Sequence, residues 1–238
     1  MQVFAYPFPG AVSEKQLYGK TVIVVDVLRA TTTMVEALRN GAKQVIPARD
    51  PSEAIAYMGH LGRRESILAG ERGGLKLPDF DLGNSPLEFT EDAVKGKSVV
   101  MSTTNGTVAI HAARGAAKLY IGSMRNATAA AKAAVQEEKD IVVLCAGTLN
   151  ESSADDIVAA GCVLKAIMQN MSEEPHLNDF ARVCLLVYGA YKRGEADLSV
   201  TTHYSHLKEI GFENDLKFCF EEDKTEIVPR YENGCVRI

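Results

Sequence analysis

Residues 19–33 read GKTVIVVDVLRATTT, and residues 96–107 read GKSVVMSTTNGT. Each stretch opens on Gly-Lys, runs through an apolar segment and ends in a turn dense with hydroxyls. An apolar run bounded by turn residues predicts a strand buried on both faces. The likeness continues downstream. Gly41 and Gly115 close the helices that follow, where glycine suits a left-handed cap. KQVIPA (43–48) then matches KLYIGS (118–123), and Asp50-Pro51 matches Arg125-Asn126 as the lead into a second helix. SILAGERGG (66–74) matches DIVVLCAGT (140–148). Ala-rich α/β units align easily by chance, but here strand, turn, helix and glycine all keep register. The pattern predicts a duplicated β-loop-α-β-α-β unit over 19–90 and 96–165.

The expected fold is therefore α/β, with mostly parallel sheets flanked by helices and two related halves, 1–94 and 95–238. The second half carries further helices at 154–171, 179–193 and 199–211. Short strands at 216–220 and 225–229 are expected to close the chain as a pair completing a sheet edge.

The chain has 238 residues, 46% of them hydrophobic, enough for a substantial core. Its formal net charge is −5, so it lacks the basic footprint of a nucleic-acid binder. Apolar runs such as Ile141–Ala146 are too short to span a bilayer. No basic region precedes a long apolar stretch at the N-terminus, so a cytoplasmic protein without a signal peptide is expected. Cys145, Cys162, Cys184, Cys219 and Cys235 are scattered singly and read as reduced, mostly buried thiols. No sequence feature demands a homodimer, the commonest oligomer.

Right-handed crossovers gather the strand-to-helix loops at one sheet edge, where ligands of such folds bind. Those loops are 26–33, 70–86, 102–107 and 146–156. In the first, Asp26 ends a strand, Arg29 follows, and Thr31 and Thr32 open a helix, whose free N–H groups and dipole favour an anion. Arg29 offers a planar fork for phosphate or carboxylate. The plainer account has Thr31 or Thr32 capping the helix and Arg29 pairing with an acid. The second loop sets Glu71 beside Arg72 and leads to Asn84-Ser85-Pro86, readable as a site or as a salt bridge and a turn. The third, Thr103-Thr104-Asn105-Gly106-Thr107, holds more polar side chains than one cap requires and can form an anion nest. The fourth runs from Gly147-Thr148 to Asp155-Asp156, acids that suit a helix N-terminus or a magnesium ion. Asp26, Glu71 and Asp156 on converging loops would serve Mg²⁺.

Several alternatives are missing. There is no P-loop, no G-x-S-x-G elbow and no HExxH. His60, His111, His176, His203 and His206 show no metal spacing, and His203 and His206, three apart, read as exposed helix surface. No cysteine stands in a nucleophile context.

DVLRATTT (26–33), GER (70–72), GNSP (83–86), TTNGT (103–107), DDIVAAG (155–161), HLKEIGFENDLKFC (206–219) and VPRY (228–231) together resemble the 2-phosphosulfolactate phosphatase family. The resemblance covers nearly the whole chain in motif order. It implies a magnesium-dependent phosphatase of α/β fold with related halves, releasing sulfolactate and phosphate from 2-phospho-3-sulfolactate, a reaction that serves coenzyme M synthesis. Asp155 departs from the glutamate expected there, which favours Asp156 as a ligand. On this reading Asp26, Arg29, Glu71 and Asp156 are catalytic, the three acids holding Mg²⁺. The small anionic substrate is expected to meet Arg29, Thr31, Thr32, Arg72, Asn84, Ser85, Thr103, Thr104, Asn105, Gly106, Thr107, Gly147 and Thr148. Direct attack by water is the default mechanism, with phosphorylation of Asp26 second. A phosphatase for another phosphorylated hydroxy acid, or a non-catalytic anion sensor, are the alternatives.

Overall fold

Every apolar run in the repeat is a strand. In the computed structural model, which describes residues 1–238, the strands are β1 (Gln2–Tyr6), β2 (Thr21–Val25), β3 (Gln44–Pro47), β4 (Ser66–Arg72), β5 (Leu75–Lys76), β6 (Ser98–Ser102), β7 (Lys118–Gly122), β8 (Ile141–Cys145), β9 (His176–Leu177), β10 (Arg230–Glu232) and β11 (Cys235–Arg237). The helices are α1 (Glu14–Leu17), α2 (Ala30–Arg39), α3 (Pro51–Leu61), α4 (Glu91–Val94), α5 (Gly106–Ala112), α6 (Ala127–Gln136), α7 (Ala154–Asn170), α8 (Asp179–Lys192), α9 (Thr202–Glu209) and α10 (Glu213–Cys219). All strands join one eleven-stranded sheet, ordered β5-β4-β6-β3-β11-β10-β7-β2-β8-β1-β9.

Alternate residues of the central strands feed two cores, because successive side chains point to opposite faces. Ile23, Val25, Val143 and Cys145 pack with α6, α7 and α8. Val22, Val24, Val142 and Leu144 pack with α2 and α5. Burial on both faces explains why β2, β6 and β8 read as unbroken apolar runs.

The repeat is real in the strand order, and its copies are interleaved. β2 lies between β7 and β8, with Ile23 opposite Tyr120 and Val143. β6 lies between β3 and β4, with Val99 opposite Val45 and Ile67. The first strand of each copy thus fills the gap between the second and third strands of the other.

The C-terminal strand pair exists but differs in place from the expectation. Residues 216–219 belong to α10, whose first turn carries Glu213 and Asp215, acids that favour a helix start. Residues 225–229 make no ladder. The hairpin is β10–β11, turned by Asn233-Gly234 at φ 52° and 84°, the left-handed pair of a tight two-residue turn. It sits in mid-sheet, pairing antiparallel with β7 and β3 and so joining the two interleaved trios.

One glycine limits the sheet. A methyl on Gly70 would overlap the carbonyl oxygen of Ser102 on the neighbouring strand. Neither backbone can yield without breaking the β4–β6 ladder. Gly70→Ala is expected to cost about 1–3 kcal/mol, the usual range for overpacking, measured as a lowered urea midpoint at constant slope.

All five cysteines are buried free thiols, as the sequence reading expects. No helix is long and apolar enough to cross a membrane.

Candidate active site

The four predicted loops meet. Asp26, Leu28 and Arg29, then Glu71, Gly73, Gly74 and Asn84, then Thr104 and Asn105, then Thr148 and Leu149 line one cavity of about 330 Å³. His203, His206 and Leu207 of α9 complete its wall.

The turn after β2 is closed by its own hydroxyls. Thr31 Oγ1 donates to the Asp26 carbonyl and accepts from its N–H, both at 2.9 Å. Thr32 Oγ1 donates to the Val27 carbonyl, and Thr33 Oγ1 to the Asn84 carbonyl, each at 2.9 Å. These threonines are fully buried and do not line the cavity; Thr31 and Thr32 tie the backbone of the loop before α2 and do not cap the helix, whose N-cap is Arg29. Their effect is to fix Asp26. Its Oδ1 accepts from Ala30 N–H at 3.2 Å, while Oδ2 has no protein partner. Gly106 opens α5 so close that a Cβ there would stand 2.6 Å from Asp26 Oδ2. Glycine here brings the helix against the carboxylate.

Burial is the main influence on Asp26, raising its pKa to about 7; Asp155 and Glu71 add to the rise, while His203 and the Ala30 N–H oppose it. Glu71 is held by backbone donors, Oε1 accepting from Thr104 N–H at 2.7 Å and Oε2 from Gly74 N–H at 2.9 Å.

Arg29 has 1% of its side chain exposed. Its Nη1 donates to Asp215 Oδ2 and its Nη2 to the Gly74 carbonyl, each at 2.6 Å, and its guanidinium lies 4.0 Å from the Phe212 ring centroid. Ser85 Oγ donates to the other oxygen of Asp215 at 2.7 Å, so Ser85 braces the arginine from outside the cavity lining. Arg72 is also outside it, bonded to the Glu71 carbonyl at 2.6 Å and to Ser102 Oγ at 3.1 Å. Thr103 and Thr107 bond each other's backbone and are buried as a local cap.

Asp156 has a different place from the expected metal ligand. Its oxygens accept from Val27 N–H and Gly147 N–H, both at 2.9 Å, which clamps the first loop to the fourth. Burial above all, then the charges of Asp155 and Asp26, push its pKa well up. Neither Asp156 nor Gly147 lines the cavity. No three His, Cys, Asp or Glu side chains converge on one metal position, and Asp156, expected as a ligand beside Asp26 and Glu71, has its two oxygens on backbone N–H groups. Asp26 and Glu71 do share the cavity, and magnesium needs only one or two carboxylates beside waters and substrate oxygens. The unbonded Asp26 Oδ2 suits that donor set.

Three buried polar atoms have no hydrogen-bond partner and belong to lining residues: Asn84 Oδ1, Thr104 Oγ1 and Thr148 Oγ1. Buried polar groups are ordinarily paired, so their gathering at one cavity marks a place for a polar ligand.

The helix expected at 199–211 is present as α9, but its histidines, read as exposed surface, belong to the site. His203 Nδ1 lies 3.1 Å from Asp155 Oδ2, and His206 Nε2 lies 3.0 Å from the Gly73 carbonyl. The three-residue spacing that puts both on one helical face was visible; the acid waiting across the fold was not. Asp215 was missed for the same reason.

The family model described as 2-phosphosulpholactate phosphatase matches residues 6–234. A protein of Clostridium acetobutylicum is 38% identical over 94% of both chains. One of Caldanaerobacter subterraneus subsp. tengcongensis is 37% identical over 98% of this chain and 96% of its own. One of Clostridium novyi is 39% identical over 92% of both. All three carry the name probable 2-phosphosulfolactate phosphatase.

Proposed function

Because the chain belongs to the 2-phosphosulfolactate phosphatase family, a family of phosphoric monoester hydrolases, we propose that it hydrolyses 2-phospho-3-sulfolactate to 3-sulfolactate and phosphate with the help of Mg²⁺. The observation that carries this reading is the cavity's makeup: two carboxylates, one fixed guanidinium and unpartnered neutral polar atoms around a space of about 330 Å³.

That makeup suits a small polyanion. Carboxylates repel an anion unless a cation stands between, which is why Asp26 and Glu71 argue for a metal. Those two residues would hold Mg²⁺. When bound, it supplies charge neutralisation at the phosphoryl oxygens and a more acidic water. Arg29 uses two of its N–H groups within the protein and keeps the others for the ligand. Its fixed position means that little reorganisation accompanies charge development during phosphoryl transfer. Asn84, Thr104, Asn105 and Thr148 offer neutral contacts to the remaining carboxylate and sulfonate oxygens. Water then attacks phosphorus directly.

The test is phosphate release from a panel of phosphorylated hydroxy acids, with and without Mg²⁺. The expected result is Mg²⁺-dependent release that is fastest for 2-phospho-3-sulfolactate. Equal rates for esters lacking the sulfonate would point to a different hydroxy acid. Tight binding with no release from any ester would point to a sensor.

A further inference from the structure

Hydrolysis of an alkyl phosphate needs a proton on the leaving side. A secondary alcohol departs as a strongly basic alkoxide unless an acid protonates it while the P–O bond breaks. Most polar groups of the cavity cannot do this. Asp26 and Glu71 are assigned to the cation, Arg29 does not release a proton, and the Asn84, Thr104 and Thr148 side chains are not acids. His206 is exposed, and its ring meets only the neutral Gly73 carbonyl, with no carboxylate to hold it charged. None of the five buried cysteines lines the cavity.

His203 is the remaining group. Its Nδ1 is bonded to Asp155 Oδ2 at 3.1 Å, which leaves Nε2 as the nitrogen without a protein partner in a residue of the cavity wall. Asp155 is itself fixed, its Oδ1 accepting from Ser153 Oγ, and it is 1% exposed. A carboxylate locking one ring nitrogen and so orienting the other is the usual way to prepare a histidine for proton transfer. We propose that His203 protonates the departing alcohol oxygen, with Asp155 as its positioning residue. This inference rests on the phosphatase reading above.

In the step, the water oxygen bonds to phosphorus as the ester P–O bond breaks. The electron pair of that bond passes to the alcohol oxygen, which takes the Nε2 proton of the imidazolium. The attacking water gives one proton to solvent, leaving hydrogen phosphate. The neutral imidazole, still bonded to Asp155 through Nδ1–H, regains a proton from solvent.

Asp155 on α7 favours the charged ring. Burial works against the imidazolium, while the bond to Asp155 and its charge oppose that; with Asp26 and Glu71 free of a cation, their charges add to the effect and His203 stands above its ordinary value. Arg29 in the same cavity and His206 on the same helix face it too, as does Glu151 in an adjoining cavity that His203 also lines.

The test is His203→Gln, assayed on 2-phospho-3-sulfolactate and on alkyl and aryl phosphates of falling leaving-group basicity. The expected loss in kcat on the sulfolactate ester is about 100- to 10,000-fold. It shrinks steadily toward p-nitrophenyl phosphate, whose phenolate needs no proton, and the basic limb of the pH–kcat profile disappears. Asp155→Asn keeps the histidine but removes its charged partner, so the basic limb should move to lower pH. That variant decides the matter should His203→Gln fail to fold, and an unmoved limb would overturn the proposal. So would a His203→Gln loss that is equal across all leaving groups. Wild-type protein that releases phosphate from no ester would overturn the phosphatase reading and this one with it.

Discussion

Asp26→Asn is expected to bring Mg²⁺-dependent phosphate release down by about a thousand-fold or more, with the fold intact. Asparagine keeps the shape that Gly106 packs against and can still accept from Ala30 N–H, but it cannot hold a divalent cation with comparable strength. Stability should move the other way. Burial raises the Asp26 pKa to about 7. A raised carboxylate means the folded chain keeps a proton that the unfolded chain releases earlier. Stability therefore falls as pH rises from the ordinary carboxylate range toward 7, and is flat above it. Asparagine, like the neutral acid, escapes that loss. At pH 8 without metal, the variant should melt at or above the wild-type temperature. Mg²⁺ competes with the same proton, so it should raise the wild-type Tm more at pH 8 than at pH 6, and leave the variant unmoved. Turnover near the wild-type rate, or an equal Mg²⁺ shift in both proteins, would remove Asp26 from the metal site.

Asp215→Ala should destabilise the chain by about 3–5 kcal/mol, the cost of leaving a buried partner charge alone. Arg29 and Asp215 are 1% and 3% exposed at their side chains and 2.6 Å apart. Without Asp215, Arg29 loses its counter-charge and Ser85 Oγ its acceptor. A domain is commonly stable by about 5–15 kcal/mol, so the loss is a large share of the whole. Asp215→Asn retains a hydrogen-bonding group toward both residues and should lose clearly less. The measurement is urea unfolding of both variants. A loss within about 1 kcal/mol for the alanine variant, the scale of a surface pair, would show that Arg29 finds water or another acceptor. Because Arg29 lines the cavity, the alanine variant should also raise KM for a phosphorylated substrate.

Much of this was legible from the chain. The repeat, the parallel α/β class and the four converging loops all followed from apolar runs and turn residues, which are local signals. The interleaving of the copies was not legible, because β2 and β6 have the same apolar, parallel-strand character in either neighbourhood and nothing in TVIVV or SVVMS states which strands flank it. Within the loops, the threonines were visible but their direction was not. Thr31, Thr32 and Thr107 turn back onto the backbone before them, while Thr104 and Thr148 leave a hydroxyl at the cavity. Asp156 was favoured over Asp155 as a metal ligand, yet Asp155 orients a histidine from α9 and Asp156 clamps two loops. Such roles depend on partners far away in sequence. The C-terminal hairpin is a different kind of miss, since Asn233-Gly234 is a strong turn signal that stood in plain view.

The interleaved sheet also has a consequence for how the protein is made. When a ribosome has finished residue 94, β1, β2, β3 and β4 have all been synthesised, yet every parallel neighbour of these strands lies further along the chain. The only ladder available to them is the short β4–β5 hairpin. The nascent chain therefore carries four apolar strands with bare edges until β6, β7 and β8 emerge, and such edges recruit other chains. This enzyme's yield in a cell should depend on chaperones and on the pace of translation between residues 94 and 145 as much as on the stability of the finished sheet.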